Sequence, residues 1–166
     1  TAAGATRVVT LQRNLGVSTA RNIGTAVATG ELIGYFDSDD EMTSDKLERQ
    51  VAELTASRID CVLTNQRIVL EPGATMPRWL QRAPDMLDTP SPVAISAVLR
   101  AESLLLAGGF DPALRSSEDM DLLMRLRSAG ALITEIPDVA LIRHLHGDNS
   151  TYDDESINRD LLKAVA

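Results

Sequence analysis

Three carboxylates stand within four residues in the stretch D-S-D-D at residues 37–40, directly after the apolar run at 31–36. Carboxylates this close repel one another unless a positive charge neutralises them. A hard divalent cation is the natural partner, and Mg²⁺ or Mn²⁺ would be held partly by the protein and partly by substrate phosphates. A solvated acidic turn beside a helix N-terminus is the alternative that these residues leave open.

A calcium loop is another interpretation of the same segment. Oxygen-bearing side chains fall at positions 1, 3, 5, 7, 9 and 12 of an EF-hand loop; these are Asp37, Asp39, Glu41, Thr43, Asp45 and Glu48. Position 6 of such a loop requires Gly for its sharp turn, whereas this chain has Met42. The preceding residues also have a strand pattern and not a helical one, which disfavours the calcium interpretation.

A second acidic group, Glu118, Asp119 and Asp121, follows Ser117 at the start of a predicted helix. Acids in the first turn after a Ser N-cap complement the helix dipole, and this effect stabilises a helix by a few tenths of a kcal/mol. The residues taken alone favour that structural role.

The elements that must position these groups alternate along the chain. Apolar runs bounded by Gly, Pro and Asp alternate with helical patterns, which is typical of an α/β layer structure. The predicted strands are residues 7–11, 31–36, 60–70, 131–136 and 139–144. The predicted helices are residues 19–29 with Ser18 as N-cap, 44–57, 101–107, 118–129 with Ser117 as N-cap, and 155–166 within a C-terminal helical tail at 151–166. Because ligands bind outside the carboxyl ends of strands in open α/β sheets, residues 37–40 lie at the predicted binding edge.

Two of these segments carry further expectations. Leu47, Val51 and Leu54 recur at i, i+4 and i+7, which predicts an amphipathic helix that buries them and leaves its polar face in solvent. Residues 71–92 contain most of the prolines and have no steady period, so we expect a long loop of the kind that often forms a lid or a binding segment.

Four sequence blocks occur in the order typical of family 2 glycosyltransferases, and the chain resembles that family over residues 14–150. The blocks are N-L-G-V-S-T-A-R-N-I-G at 14–24, G-E-L-I-G-Y-F-D-S-D-D at 30–40, G-G-F-D at 108–111 with S-E-D-M-D-L-L-M-R-L at 117–126, and R-H-L-H at 143–146. The resemblance implies the GT-A fold, a Rossmann-like sandwich in which helices flank a mixed sheet. It also implies inverting transfer of a sugar from a nucleotide diphosphate donor to an acceptor hydroxyl.

On the donor side, the resemblance implies a Mn²⁺ or Mg²⁺ ion beneath the leaving diphosphate, where a metal stabilises developing charge. Asp39 and Asp37 would be metal ligands, and His146 would complete the metal shell. Asp37, Asp40 and Arg21 would contact the donor. Arg21 could equally pair with a neighbouring carboxylate.

On the acceptor side, the resemblance implies that Asp119 is the general base that takes the proton of the attacking hydroxyl. Glu118 would be a second catalytic group and an acceptor contact, whereas Asp121 would be structural. Residues 71–92 would form an acceptor-side loop. Trp79 in that loop could stack on an acceptor sugar or could anchor the loop to the core.

The chain also departs from the family pattern. Family members begin with a strand-helix-strand unit that holds the nucleoside, and residues 1–13 contain no counterpart. We therefore expect residues 1–166 to be a single, N-terminally truncated glycosyltransferase domain that is inactive alone. The truncated sheet would expose an edge or an apolar face, which a second chain in a homo-oligomer could cover. A non-catalytic interaction module is the alternative function.

Composition limits the partners. Asp and Glu total 24 against 16 Lys and Arg, and the net charge of −8 disfavours nucleic acid and anionic lipid. No apolar run approaches the ~20 residues needed to span a bilayer, so no membrane span is expected. The single Cys61 excludes an intramolecular disulfide and points to a reducing compartment, which predicts a cytoplasmic protein.

Overall fold

The computed structural model describes residues 7–87 and 90–146. Its strands are β1 (Leu32–Gly34), β2 (Glu41–Met42), β3 (Cys61–Leu70), β4 (Ser91–Pro92), β5 (Val98–Arg100) and β6 (Ile133–Leu145). Its α-helices are α1 (Val17–Val27), α2 (Lys46–Ala56), α3 (Arg78–Arg82), α4 (Ala101–Leu106) and α5 (Glu118–Ser128). Two 3₁₀ turns cover Pro84–Leu87 and Ala94–Ser96. The predicted tail at 151–166 lies outside the described residues.

The strands form one mixed sheet in the order β1-β5-β3-β6-β2, with β4 paired to β3. β5 runs antiparallel to both β1 and β3, and β6 runs parallel to β3. Consequently β1, β3 and β6 point in the same direction, and their carboxyl ends lie at the same edge of the sheet. This confirms the predicted α/β class with a mixed sheet.

Helices cover both faces of the sheet because side chains along a strand alternate in direction. On one face, Cys61 and Leu63 of β3 pack with Phe110, Leu104 and the leucines of α5. On the other face, Val62 packs with Val98 and with Leu54 of α2. The predicted sandwich is therefore confirmed, and its core lies on either side of β3.

The prediction of a strand at residues 7–11 was wrong. Val8 and Val9 are 70% and 47% exposed, and none of the described strands pairs with this segment. An apolar run becomes a strand only where a neighbour takes up its backbone hydrogen bonds. The segment is linked to α1 through Arg7, whose guanidinium donates a hydrogen bond to the Val27 carbonyl at 2.7 Å.

Helix α1 begins earlier than predicted, so Ser18 is not its N-cap. The Asn14 side-chain oxygen accepts a hydrogen bond from the Gly16 amide at 2.9 Å, and Gly16 has a φ of +85°. This turn starts the helix at Val17 and places Ser18 in the first turn, where it is buried.

Helix α2 presents a different face to the sheet than its apolar spacing predicts. Leu54 is buried, but Leu47 and Val51 are 49% and 40% exposed. The buried positions are Lys46, Gln50 and Leu54. The two polar side chains tolerate burial because the Ser96 carbonyl accepts a hydrogen bond from each, at 3.0 and 2.9 Å.

The loop predicted at 71–92 is partly ordered into α3, a 3₁₀ turn and β4, so that expectation was wrong for these stretches. Pro77 is the N-cap of α3, and Pro84 starts the 3₁₀ turn, which are positions where the missing amide does no harm. Leu80 is fully buried against Ile68 and Leu145.

The two strands predicted at 131–136 and 139–144 are one strand, β6, with an irregularity. Thr64 of β3 pairs with Ile136, and the next residue pairs with Val139, so Pro137 and Asp138 form a bulge. Proline supplies no amide to the ladder, which accounts for the interruption. The Asn65 side chain donates to the Pro137 carbonyl at 2.9 Å and stabilises the bulge.

The calcium loop from residue 37 to 48, which the sequence disfavours, is not formed. β1 and not a helix precedes the segment, and β2 divides it by pairing with β6.

No helix within residues 7–87 and 90–146 is long and apolar enough to cross a membrane.

Candidate active site

An open crevice of about 740 Å³ lies where the carboxyl ends of the strands meet the N-terminus of α5. The crevice is lined by the D-S-D-D turn after β1, by residues 91–95 around β4, and by the first turn of α5. The crevice brings together nearly all the residues predicted as site residues: Arg21, Asp37, Asp39, Asp40, Trp79, Glu118 and Asp119.

The D-S-D-D turn is fastened to the end of β6. The Asp40 carboxylate accepts a hydrogen bond from the His144 amide at 3.2 Å, and the loss of water around Asp40 raises its pKa. Asp39 Oδ2 lies 3.1 Å from His146 Nε2. Side chains 107 residues apart are thus in contact because β1 and β6 end at one edge of the sheet.

The predicted metal ligands fall into two groups. Asp39 and His146 are in contact, whereas Asp37 is turned to Arg21. In the ranges 7–87 and 90–146, no group of three or more His, Cys, Asp or Glu side chains is placed to hold an ion. The Asp39 carboxylate still fits Mn²⁺ or Mg²⁺ when substrate phosphates supply the other oxygen ligands, and the His146 imidazole suits the transition metal Mn²⁺ better than Mg²⁺. The residues therefore fit an ion shared with a substrate.

Arg21 forms ion pairs with two carboxylates. The sequence left open whether Arg21 contacts the donor or pairs with a carboxylate, and the structure shows the pairing. Nη2 lies 2.9 Å from Asp37 Oδ1, and Nη1 lies 2.7 Å from Glu118 Oε1. The Arg21 side chain is 10% exposed. Its guanidinium carbon lies 5.9 Å from the ring centroid of Tyr35 and 5.3 Å from that of Phe110. Arg21 thereby joins the D-S-D-D turn to the first turn of α5.

Glu118 and Asp119 differ in their surroundings although they are neighbours. Glu118 is buried against Arg21, and both burial and the nearby charge of Asp119 raise its pKa, while Arg21 opposes that shift. Asp119 is half-buried, lines the crevice, and accepts a hydrogen bond from the Met120 amide at 2.8 Å. Both acids line the crevice, but the Glu118 carboxylate is held by Arg21, whereas Asp119 accepts only the backbone hydrogen bond from Met120 among the contacts that the structure describes.

Ser117 precedes both acids in an unusual conformation. Its φ of 57° is left-handed, which costs a non-glycine residue roughly 1 kcal/mol. Ser117 is the N-cap of α5 by position, but its side chain makes no capping hydrogen bond with the described helix. Ser117 therefore occupies the predicted N-cap position, but it does not make the predicted capping hydrogen bond.

The chain matches the family model of glycosyl transferase family 2 over residues 3–96. This match covers more than half of the 166 residues. The chain belongs to glycosyltransferase family 2.

Several relatives share this similarity over most of the chain. The chondroitin synthase of Pasteurella multocida is 26% identical over 142 residues, which are 83% of this chain and 15% of that protein. The pre-mycofactocin glycosyltransferase of Mycobacterium tuberculosis is 28% identical over 143 residues, which are 79% of this chain and 30% of that protein. The chain spans less than a third of the length of either relative.

The solved structure of S. aureus TarS in complex with UDP-GlcNAc has the same fold. It aligns with a TM-score of 0.65 and 20% identity, covering 89% of this chain and 44% of the TarS chain. The GT-A fold expected from the four sequence blocks is therefore confirmed.

Sequence reasoning missed Asn22, which connects two motifs of this family 2 domain. Its amide donates to the Phe110 carbonyl at 2.8 Å, and its side-chain oxygen accepts from the Phe110 amide at 2.9 Å. Gly109 has a φ of +71°, and a Cβ there would lie 2.8 Å from the Asn22 side-chain oxygen. The sequence contains a signal for this residue, because Asn22 directly follows Arg21 in the N-L-G-V-S-T-A-R-N-I-G block.

The remaining candidates lie at the rim or have other partners. Trp79 packs on the cluster formed by Ile68, Leu80 and Leu145, and it also lines the crevice. His144, the first histidine of the R-H-L-H block, lies with Nδ1 2.6 Å from Glu71 Oε1, and this hydrogen bond raises its pKa.

Proposed function

We propose that the protein containing this chain transfers a sugar from a nucleotide diphosphate donor to an acceptor hydroxyl, with inversion at the anomeric carbon. One observation carries the proposal: a single crevice in a family 2 domain contains both the D-S-D-D carboxylates and Asp119. The relatives named as glycosyltransferase and as chondroitin synthase agree with this class of reaction.

On the donor side, Asp39 and His146 would hold Mn²⁺ or Mg²⁺, since they offer a carboxylate and an imidazole in contact. When bound, the ion would supply positive charge to the leaving diphosphate. Asp40 supports the turn through its hydrogen bond with the His144 amide. Asp37, with 39% of its side chain exposed, is available to contact the donor ribose beside the ion.

On the acceptor side, Asp119 accepts the proton of the attacking hydroxyl. The hydroxyl oxygen bonds to the anomeric carbon as the bond from that carbon to the diphosphate oxygen breaks, and the diphosphate leaves with the bonding electrons. Glu118 keeps its carboxylate on Arg21, so its contribution is to place Asp119 and to border the acceptor. Trp79, half-buried at the crevice, offers an aromatic face on which an acceptor sugar ring stacks.

The test is Asp119→Asn in the full-length protein. A positioned general base contributes about 10²- to 10⁴-fold to turnover, so kcat should fall by that factor. Asn is nearly isosteric with Asp, and removing one charge from the first turn should cost at most about 1 kcal/mol of stability. The measurements are release of nucleoside diphosphate at saturating donor, donor binding, and thermal unfolding.

Asp121→Asn is the matched control on the same helix. Asp121 Oδ2 pairs with Arg125 at 2.6 Å, and Arg125 donates in turn to the Gly109 carbonyl at 2.7 Å. This variant should lose about 1 kcal/mol of stability and keep its turnover. Normal turnover in Asp119→Asn would remove Asp119 from the role of base.

A further inference from the structure

Arg21 holds two carboxylates that lie far apart in the sequence. Asp37 lies 16 residues and Glu118 lies 97 residues from it in sequence. One nitrogen of the guanidinium donates to each carboxylate, at 2.9 and 2.7 Å. A planar guanidinium presents its donors in a fixed fork, so it sets the spacing of the two carboxylates as well as neutralising them.

The guanidinium is itself held from several sides. The rings of Tyr35 and Phe110 meet edge to face, with centroids 4.9 Å apart, and Arg21 lies within 6 Å of both. The Tyr35 hydroxyl lies 2.6 Å from the Thr25 hydroxyl, which donates to the Arg21 carbonyl at 2.9 Å. With 10% of its side chain exposed, Arg21 has little rotamer freedom left to lose when a substrate binds.

Helix α1 is also fixed to the chain that leads into α5. Asn22, the residue after Arg21, forms a two-way hydrogen bond with the backbone of Phe110, eight residues before Glu118. Asn22 and Arg21 are adjacent in α1, and they contact the two ends of the segment that runs from Phe110 to Glu118. The first turn of α5 is therefore linked to α1 by the ion pair between Arg21 and Glu118, and Ser117 adds no side-chain capping hydrogen bond.

We infer that Arg21 is a positioning residue for the transfer reaction: by bridging Asp37 and Glu118 it fixes the base Asp119 relative to the D-S-D-D turn. This inference rests on the proposed function. It assigns Arg21 a role in geometry between the donor and acceptor sides, in place of the donor contact that the sequence resemblance implies. A misplacement of about 1 Å between reacting groups lowers turnover by on the order of 10²-fold.

The first experiment uses Arg21→Lys and Arg21→Met in the full-length protein. Release of nucleoside diphosphate is measured from a panel of UDP-, GDP- and dTDP-sugars that includes UDP-GlcNAc. An ammonium cannot reproduce the fork to both carboxylates, so Arg21→Lys should lower kcat by about 10- to 100-fold. Its donor KM should change by less than about threefold, because the ammonium of Lys can still pair with Asp37 on the donor side.

Arg49→Met is the matched control. Arg49 also bridges two carboxylates, Asp45 and Asp138, but it lies on the surface with 41% of its side chain exposed. This variant should keep both kcat and KM. A raised KM with unchanged kcat in Arg21→Lys would make Arg21 a donor contact and overturn the positioning role.

A double variant separates positioning from a merely structural role. Arg21→Met leaves Glu118 buried without its partner, and adding Glu118→Gln removes that charge. Glu118→Gln alone is the reference, because Glu118 itself borders the acceptor. The double variant should regain the melting temperature lost in Arg21→Met but should turn over more slowly than Glu118→Gln alone. Recovery of turnover together with melting temperature would show that the bridge serves stability alone.

The same set of variants tells the two proposals apart. Absence of coupling between Arg21 and Glu118 in the melting temperatures, with an active wild type, would overturn the bridge and leave the proposed function standing. A wild type that releases no nucleoside diphosphate from any donor of the panel would overturn the proposed function, and the positioning role with it.

Discussion

Asp119 and Asp121 show how two equal side chains acquire different roles on one helix. Residues two apart on a helix are about 200° apart around its axis, so the two carboxylates point in different directions. Asp121 meets Arg125, whose guanidinium also binds the Ala107 and Gly109 carbonyls. Asp119 instead borders the crevice. The helix dipole acts on both acids in the same way. Their neighbours distinguish them, because Asp121 contacts Arg125 and Asp119 lines the crevice.

Lys46 gives a prediction about pH because it is buried without a carboxylate in direct contact among the described residues. Its ammonium donates to Gln50 Oε1 at 2.8 Å and to the Ser96 carbonyl at 3.0 Å. Burial lowers its pKa from 10.5 to about 8. Between these values the unfolded chain binds the proton and the folded chain does not. This group's contribution therefore raises the free energy of unfolding as pH rises through the window.

Lys46→Met removes this titration. We expect the wild type to gain stability relative to the variant as the pH rises from about 8 toward 10.5, and to show a constant difference below about 7. Urea unfolding of both proteins across this range measures the difference. Parallel pH profiles would show that Lys46 keeps an ordinary pKa in the folded state.

At the scale of the elements, the contact between α1 and the G-G-F-D turn predicts unequal effects of two adjacent glycines. Both have a left-handed φ, +82° at Gly108 and +71° at Gly109, and Ala pays roughly 1 kcal/mol in that conformation. A Cβ on Gly108 would meet nothing within 4 Å, whereas one on Gly109 would lie 2.8 Å from the Asn22 side-chain oxygen.

Gly108→Ala should therefore lower the free energy of unfolding by about 1 kcal/mol, and Gly109→Ala by about 2 to 4 kcal/mol. Gly109→Ala should also lower turnover, because displacing Asn22 shifts α1 against α5. Denaturant unfolding and donor turnover on the two variants provide the measurement. Equal losses of stability would mean that Asn22 moves aside without cost.

The elements also show what sequence patterns could and could not predict. β3, α4 and α5 were predicted within a residue or so, because apolar residues at both ends of β3 and glycines shortly after α4 and α5 mark them locally. The buried face of α2 was not, since the Ser96 carbonyl that makes burial of Gln50 tolerable lies 46 residues away in sequence. A spacing rule has no access to such a distant partner.

For the whole molecule, the residue types that meet in the crevice could be predicted from the sequence, and their pairing could not. The motif blocks alone indicate Arg21, the D-S-D-D turn and Asp119. The single arginine that serves both acidic groups becomes evident only when the fold brings Asp37 and Glu118 to the same guanidinium. Residue type follows from local sequence, whereas partner choice follows from topology.

The charge of the assembled crevice leads to a prediction about its ligands. Among the residues that the structure describes, five carboxylates line it, from residues 37, 39, 40, 118 and 119, together with three guanidinium groups, from residues 21, 115 and 143. A nucleoside diphosphate adds further negative charge to this surface. The diphosphate should therefore bind weakly without a divalent cation, and the cation weakly without the diphosphate.

In the full-length protein, Mn²⁺ should raise the affinity for UDP, and UDP should raise the affinity for Mn²⁺ by the same factor, because coupling between two ligands is reciprocal. We expect about tenfold or more, measured by calorimetric titration of each ligand with and without the other. Asp39→Ala should reduce the factor to near one, since it removes the carboxylate that contacts His146. Asp138→Ala, a surface carboxylate paired with Arg49, should leave it unchanged. Equal UDP affinity in Mn²⁺ and in a chelator would exclude Asp39 from an ion that the donor shares.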